Sequence, residues 1–148
     1  KNKNLYESLS IYGVANHKHN PEISQELLRY TKKNVEYNFT PHLIPMFRGI
    51  LSCIYVDVNK NSSPDKIINY LRKFYKNSYF IQIMKKNTLL STNSVINTNN
   101  CKISVCELKN KKRILIVSVI DNLIKGGSGQ AVQNFNKIYK FREYEGLK

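Results

Sequence analysis

Tryptophan does not occur in this sequence, and cysteine, methionine and proline are scarce: three Cys, two Met and four Pro in 148 residues. The cysteines, Cys53, Cys101 and Cys106, form an odd set without a CxxC pair. That argues against a disulfide framework or a structural zinc site, and a reducing, cytoplasmic compartment fits such usage. No apolar run approaches the ~18 residues of a membrane span. The longest, Ile114 to Ile120, is strand length. The chain opens on Lys-Asn-Lys-Asn, with neither an initiator Met nor an apolar signal region behind it. The expectation is a chain that begins inside a longer one.

Acidic residues are also few: 10 Asp plus Glu stand against 24 Lys plus Arg, a net charge of +14. Such an excess invites a nucleic-acid partner. However, the basic residues are scattered among 19 asparagines, no run of five or six appears, and only five of the 24 are Arg. Nucleic-acid readers concentrate charge and favour Arg for its bidentate fork. The pattern predicts a solvated basic surface with a bias towards small anions, and no nucleic acid as main partner.

What the chain does contain is enough for one ordinary domain, with 41% hydrophobic residues and a length that buries roughly 70% of the unfolded surface. Ser8 to Val14 reads as a strand. Asn20-Pro21-Glu22 opens a helix, with Asn as cap, Pro at the first helical position and Glu at the positive end of the dipole, running to about Tyr30. Val35 to Phe39 alternates as a strand, and Gly49 to Val58 is a strong one. Ser63-Pro64-Asp65 repeats the capping signal before a stripe of Ile67, Ile68, Leu71, Phe74 and Tyr75. Tyr79 to Met84 is a strand, 87–100 a polar loop, and 101–108 with 113–120 a hairpin. Gly126 to Gly129 opens a last helix with Ala131, Val132, Phe135 and Ile138 on one face. Cys53 and Cys106 fall in strands and are expected to be small buried residues, whereas Cys101 follows a loop and is the exposed candidate. The sum is an α+β fold, a mixed and largely antiparallel sheet with helices packed on one face.

Three stretches hold more chemistry than packing requires. In YGVANHKHNPEI, residues 12–23, His17 and His19 sit just before a helix N-terminus, whose dipole favours neutral, proton-accepting imidazole. H-x-H is also half of a metal site, but no further ligand has supporting spacing, so no metal is expected. The remaining alternative is a loop with two exposed histidines. In FTPHLIPMFRGI, residues 39–50, two prolines, His42 and Arg48 interrupt a strand pattern, either to aim side chains or as a simple crossover. In DNLIKGGSGQ, residues 121–130, a glycine-rich turn before a helix offers backbone N–H groups to a phosphate or a polar cofactor edge.

Together the three stretches resemble the C-terminal part of the N-acetyl-gamma-glutamyl-phosphate reductase family, within the aspartate-semialdehyde and glyceraldehyde-phosphate dehydrogenase-like superfamily. The family's H-R-H-x-P-E-I, F-T-P-H-L with R-G-I, and D-N-L-x-K-G with Q-A-V-Q-x-x-N are matched in order and spacing, and Glu143 to Leu147 matches its closing E-x-x-G-L. The resemblance covers about residue 10 to the end. It implies the superfamily's C-terminal domain, and a reduction of N-acetyl-glutamyl 5-phosphate to the 5-semialdehyde by NADPH through a cysteine thioester, in arginine biosynthesis. By the same resemblance His17 is the acid/base, His19, Tyr12 and Arg48 bind substrate, and Asn122, Gly126, Gly127 and Gln130 face the nicotinamide end of NADP(H). A homodimer or homotetramer is implied.

Two departures shape the expectation. The family's nucleophilic Cys lies upstream in a C-Y-P-T type motif that none of the three cysteines matches, and the NADP-binding Rossmann domain is also upstream. Residues 1–148 are therefore expected to be the substrate-binding and dimerisation part, inactive alone. The alternative is a truncated, non-enzymatic dimerisation or binding domain. Lys18 replaces the usual Arg, and Gly126-Gly127-Ser128 the usual Gly-Ala-Ala. The first keeps charge and loses the fork; the second loosens the helix start.

Overall fold

The computed structural model describes residues 7–148. These divide into two compact units, the first ending at Phe47 and the second spanning Arg48–Lys148. The division falls inside the 39–50 stretch, two residues after Pro45, where no composition shift marks it.

In the first unit a two-stranded antiparallel ribbon pairs β1 (Ser10–Ile11) with β2 (His42–Leu43), in the register Ser10 to Leu43 and Ile11 to His42. Between them in sequence, α1 (Asn20–Thr31) starts one residue earlier than its sequence signal suggests. His19 takes the cap position without a side-chain bond, Asn20 is the first helical residue, and Lys32 closes the helix in the left-handed region at φ +57°. Val35 to Phe39 is not a strand. A period-2 pattern needs a neighbouring ladder, and this segment is tied down by a side chain instead. The Tyr37 hydroxyl donates to the Asn20 carbonyl at 2.8 Å and lies 2.9 Å from Ser24 Oγ.

The second unit is built on a four-stranded sheet of β3 (Ile50–Asp57), β4 (Ile81–Ile83), β5 (Cys101–Glu107) and β6 (Arg113–Ile120), in the spatial order β3-β6-β5-β4. β6 pairs antiparallel with β3 and β5, and β4 runs parallel to β5, so the sheet is mixed and largely antiparallel. α2 (Pro64–Phe74) begins where sequence places it, with the Ser63 hydroxyl accepting from the Lys66 amide at 3.2 Å. Its stripe packs on the sheet: Ile68 joins Val105 and Ile114 in a buried cluster flanked by Val58, Ile67, Leu71, Ile83 and Ile116. Each of the three buried side chains contributes roughly 1.5–3 kcal/mol by leaving water, and the partly buried ones less.

The cysteine expectations change with strand position. Cys53 is exposed, because β3 is an edge strand whose Ile50, Leu51, Ile54 and Tyr55 are exposed as well. Cys106 is half-buried, and so is Cys101, whose thiol is pushed up by burial, partly offset by nearby Lys125. The stretch 87–100 is not a solvated loop. A short 3₁₀ turn, Thr92–Ser94, sits within it, and Thr92, Val95 and Asn99 are buried.

A turn kinked at Gly127, whose φ −155° and ψ −110° are not helical, spans Ile124–Ser128 and leads into α3 (Gly129–Ile138). The buried residues of α3 are Gly129, Gln133 and Asn136. Its apolar residues Val132, Phe135 and Ile138 are exposed.

Candidate active site

In the first unit the ribbon and the start of α1 hold His17, His19 and Tyr12 together. Tyr12 leaves the ribbon with its amide donating to Pro41 O at 3.2 Å. The chain then turns through Gly13, and a Cβ there would come within 3.1 Å of His17 Cδ2. Three rings meet the half-buried His17 imidazole edge to face: Tyr12 and Phe39 with centroids at 5.3 Å, and His19 at 4.8 Å. Such contacts are worth about 0.5–1.5 kcal/mol each between aromatic rings and fix ring orientation. The His19 amide donates to His17 Nδ1 at 3.2 Å. The HxH motif therefore folds back on itself. Phe39, from the F-T-P-H-L motif, was not singled out from sequence, although its place in that motif was the available signal.

The second unit gathers the other candidates around Asp121. Its side chain is fully buried at the end of β6. Arg48 donates to both carboxylate oxygens, at 3.3 Å from Nε and 2.5 Å from a terminal nitrogen. The amides of Asn97, Leu123 and Ile124 donate as well, at 2.8, 2.8 and 3.0 Å. Burial alone would push this carboxyl up. The Arg48 hydrogen bond and the three amides outweigh burial and hold it down at about 2. One carboxylate thus fixes the R-G-I motif, the 92–100 segment and the start of the glycine-rich turn. Arg48 is committed to this pair with its side chain about a quarter exposed.

Asn122 follows, with its amide oxygen accepting from the Gly49 N–H at 2.7 Å, which leaves the amide N–H₂ as the end able to donate to a ligand. Gly126 and Gly127 are exposed, and Gln130 is half-buried and donates to Asn134 at 2.8 Å. The arrangement is a side-chain amide beside backbone that carries no side chain.

Behind the turn, Gln133 collects three partners. Its carbonyl accepts from Lys125 at 2.6 Å and from buried Asn99 at 2.8 Å, and its N–H₂ donates to Glu143 at 2.6 Å. Burial pulls the Lys125 ammonium below its usual value. Asn136 donates to the carbonyls of Glu143 and Glu145 at 3.3 and 2.9 Å. The Q-A-V-Q-x-x-N and E-x-x-G-L motifs are thereby one structural lock. Spacing alone does not show it, because the partners lie in separate segments.

Among the described residues no group of three or more His, Cys, Asp or Glu converges to hold a metal ion, and no helix is long and apolar enough to cross a membrane.

A family model described as "Semialdehyde dehydrogenase, dimerisation domain" matches residues 1–122. Among curated proteins, the chain is 42% identical over 144 residues to an N-acetyl-gamma-glutamyl-phosphate reductase of Staphylococcus aureus (strain MRSA252), covering 97% of this chain and 42% of that protein. It is 39% identical over 151 residues to the reductase of the same name from Clostridium novyi (strain NT), covering 99% and 43%. The chain spans about two fifths of the length of these relatives. Among solved structures, an aspartate semialdehyde dehydrogenase from Francisella tularensis superposes with a TM-score of 0.65 at 17% identity, over 90% of this chain and 40% of that one. That likeness concerns the fold.

Proposed function

The chain belongs to the family of semialdehyde dehydrogenase dimerisation domains, and from that premise we propose that it is the substrate-binding and dimerisation part of an NADPH-dependent N-acetyl-gamma-glutamyl-phosphate reductase. The protein would work in the cytoplasm as a homodimer or homotetramer, and an upstream Rossmann domain would supply the nucleophilic cysteine and most of the cofactor site. The observation that carries this reading is the ring-packed, oriented His17 inside the matched HxH motif.

In this reading a thiolate attacks the acyl phosphate of N-acetyl-glutamyl phosphate and phosphate leaves. Asn122, Gly126, Gly127 and Gln130 would hold the nicotinamide end of NADPH, which would supply the hydride when bound. His17 manages the proton inventory at the thiol and the carbonyl oxygen, a duty suited to imidazole near neutral pH. Tyr12 and His19 line the same place and bind substrate. Arg48, anchored through Asp121, offers the rest of its fork to a carboxylate or phosphate.

The test is kinetic, in the polypeptide that carries both halves; the 148 residues by themselves are expected to show no NADPH oxidation. His17→Asn is expected to lower kcat by about 10²–10⁴-fold with KM little changed. His19→Asn is expected to raise KM more than it lowers kcat. If neither change exceeds about threefold, the catalytic assignment is wrong.

A further inference from the structure

We propose that Lys125 is the positioning residue of the glycine-rich turn: its ammonium, anchored inward on the Gln133 side chain, fixes where the backbone of Gly126 and Gly127 stands beside Asn122. The inference rests on the proposed reductase reading for what that backbone meets, the nicotinamide end of NADPH.

The turn needs an anchor. Two adjacent glycines are the most freely moving backbone a chain can have, and both are exposed with no side chain to pack. The bonds within the turn are its own: the Gly126 amide donates to Asp121 O at 2.8 Å and the Ser128 amide to Leu123 O at 3.0 Å. They close the turn on itself. Lys125, half-buried, reaches from it into the interior. Its Nζ lies 2.6 Å from the Gln133 side-chain oxygen in α3 and 5.6 Å from the ring centroid of Phe80, which is fully buried just ahead of β4.

The acceptor is itself held. An ammonium can only donate and a carboxylate can only accept. Lys125 and Glu143 therefore set the Gln133 amide between them, oxygen towards Lys125 and nitrogen towards Glu143 at 2.6 Å. Buried Asn99 donates to the same oxygen at 2.8 Å, and its own oxygen lies 2.5 Å from where a Cβ on Gly129 would stand. The turn is thus pinned at its middle by a charge-assisted bond, the stronger class, and at its end by close contact. A small displacement of this backbone would weaken its hold on a nicotinamide and leave the rest of the cofactor's contacts untouched.

The experiment uses the polypeptide that carries both halves. Lys125→Met keeps an apolar stem over Phe80 and deletes the charge. Without cofactor, amide hydrogen exchange at Gly126 and Ser128 is expected to be about tenfold faster in this variant, with β5 and β6 unchanged. Unchanged exchange at the turn overturns the inference, and so does faster exchange throughout β5 and β6, the mark of a merely structural residue. The Kd for NADPH, read by its fluorescence, is expected to rise about tenfold, while that for adenosine 2′,5′-bisphosphate, which carries no nicotinamide, stays within about twofold. Equal weakening of both overturns the inference. Lys125→Arg, which keeps the cation, is expected to lie between Lys125→Met and the unsubstituted protein; an Arg variant as weak as Met for NADPH would show that the charge does not set the turn. Adding Lys125→Met to Gln133→Leu is expected to weaken NADPH no further, and additive losses overturn the route through Gln133. Faster exchange at the turn in a protein that does not bind NADPH upholds the positioning role and removes the reductase reading, so the two failures are distinct.

Discussion

Burying a carboxylate costs several kcal/mol unless donors surround it, and Asp121 is surrounded. Its carboxyl sits at about 2, against roughly 3.9 in an unfolded chain. A depressed acid stabilises the fold above its unfolded value and loses that contribution as pH falls through the folded one. The expectation is about 2–3 kcal/mol from this residue, constant above about pH 5 and lost between about pH 4 and 2, as read by urea unfolding. Asp121→Asn is expected to remove that acid limb and to cost about 3–5 kcal/mol at pH 7, because Arg48 and three amides lose their anion. Gly49 supplies a steric counterpart beside it. It has φ +106°, and an added Cβ would lie 2.6 Å from Thr92 Cβ and 2.8 Å from its Cγ2. Gly49→Ala is expected to destabilise by about 2–4 kcal/mol, strain and clash together. A cost below about 1 kcal/mol in the same urea assay would show that the approach of the 92–100 segment to Arg48-Gly49 is loose.

Elements whose cause is local were legible in the sequence, and those whose cause is distant were not. Ser63-Pro64-Asp65 caps α2 because the hydroxyl and the amide it satisfies are three residues apart. The hairpin of β5 and β6 follows from two β-rich runs around a polar turn. Val35 to Phe39 misled because alternation describes a strand only when a partner exists. Cys53 misled because β-rich composition does not say which strand lies at the sheet edge. Helix α3 is the sharpest case. Its apolar stripe was visible, yet the structure buries Gln133 and Asn136 instead, for the sake of the lock on Glu143 and Glu145. A burial pattern inverted in this way makes a definite ranking. Asn136→Ala is expected to cost about 1–3 kcal/mol, since two carbonyls lose their donor. Ile138→Ala, at a residue 73% exposed, is expected to cost less than about 0.5 kcal/mol in this chain. The opposite order in urea unfolding would mean that the apolar stripe, not the polar lock, holds the C-terminal segment.

At the scale of the whole molecule, the candidate site was legible as motifs and illegible as geometry. The residues His17, Arg48 and Asn122 could be picked out, but the bond from the His19 amide, the Asp121 anchor 73 positions from Arg48 and the grip of Asn122 on Gly49 belong to the fold. The same distinction decides what the charge of +14 means. Of the five arginines, Arg48 is bound to Asp121, Arg113 to Asp57 at 2.6 Å, and Arg29 lies 3.6 Å from Glu26. Most of the fork-shaped donors that read bases and clamp phosphates are therefore engaged by acids of this chain. What remains is dominated by lysine, a hydrated point charge without a preferred planar partner. Lysines spread along the sequence attract a polyanion by counterion release alone, and that attraction falls steeply with salt and ignores sequence. Binding to a labelled DNA duplex, followed by fluorescence anisotropy, is accordingly expected to be detectable near 20 mM salt, weaker than about 100 μM at 150 mM, and equal for unrelated sequences. Low-micromolar binding at 150 mM that survives a change of competitor sequence would require a concentrated basic face. It would replace the small-anion reading of this surface with a nucleic-acid one.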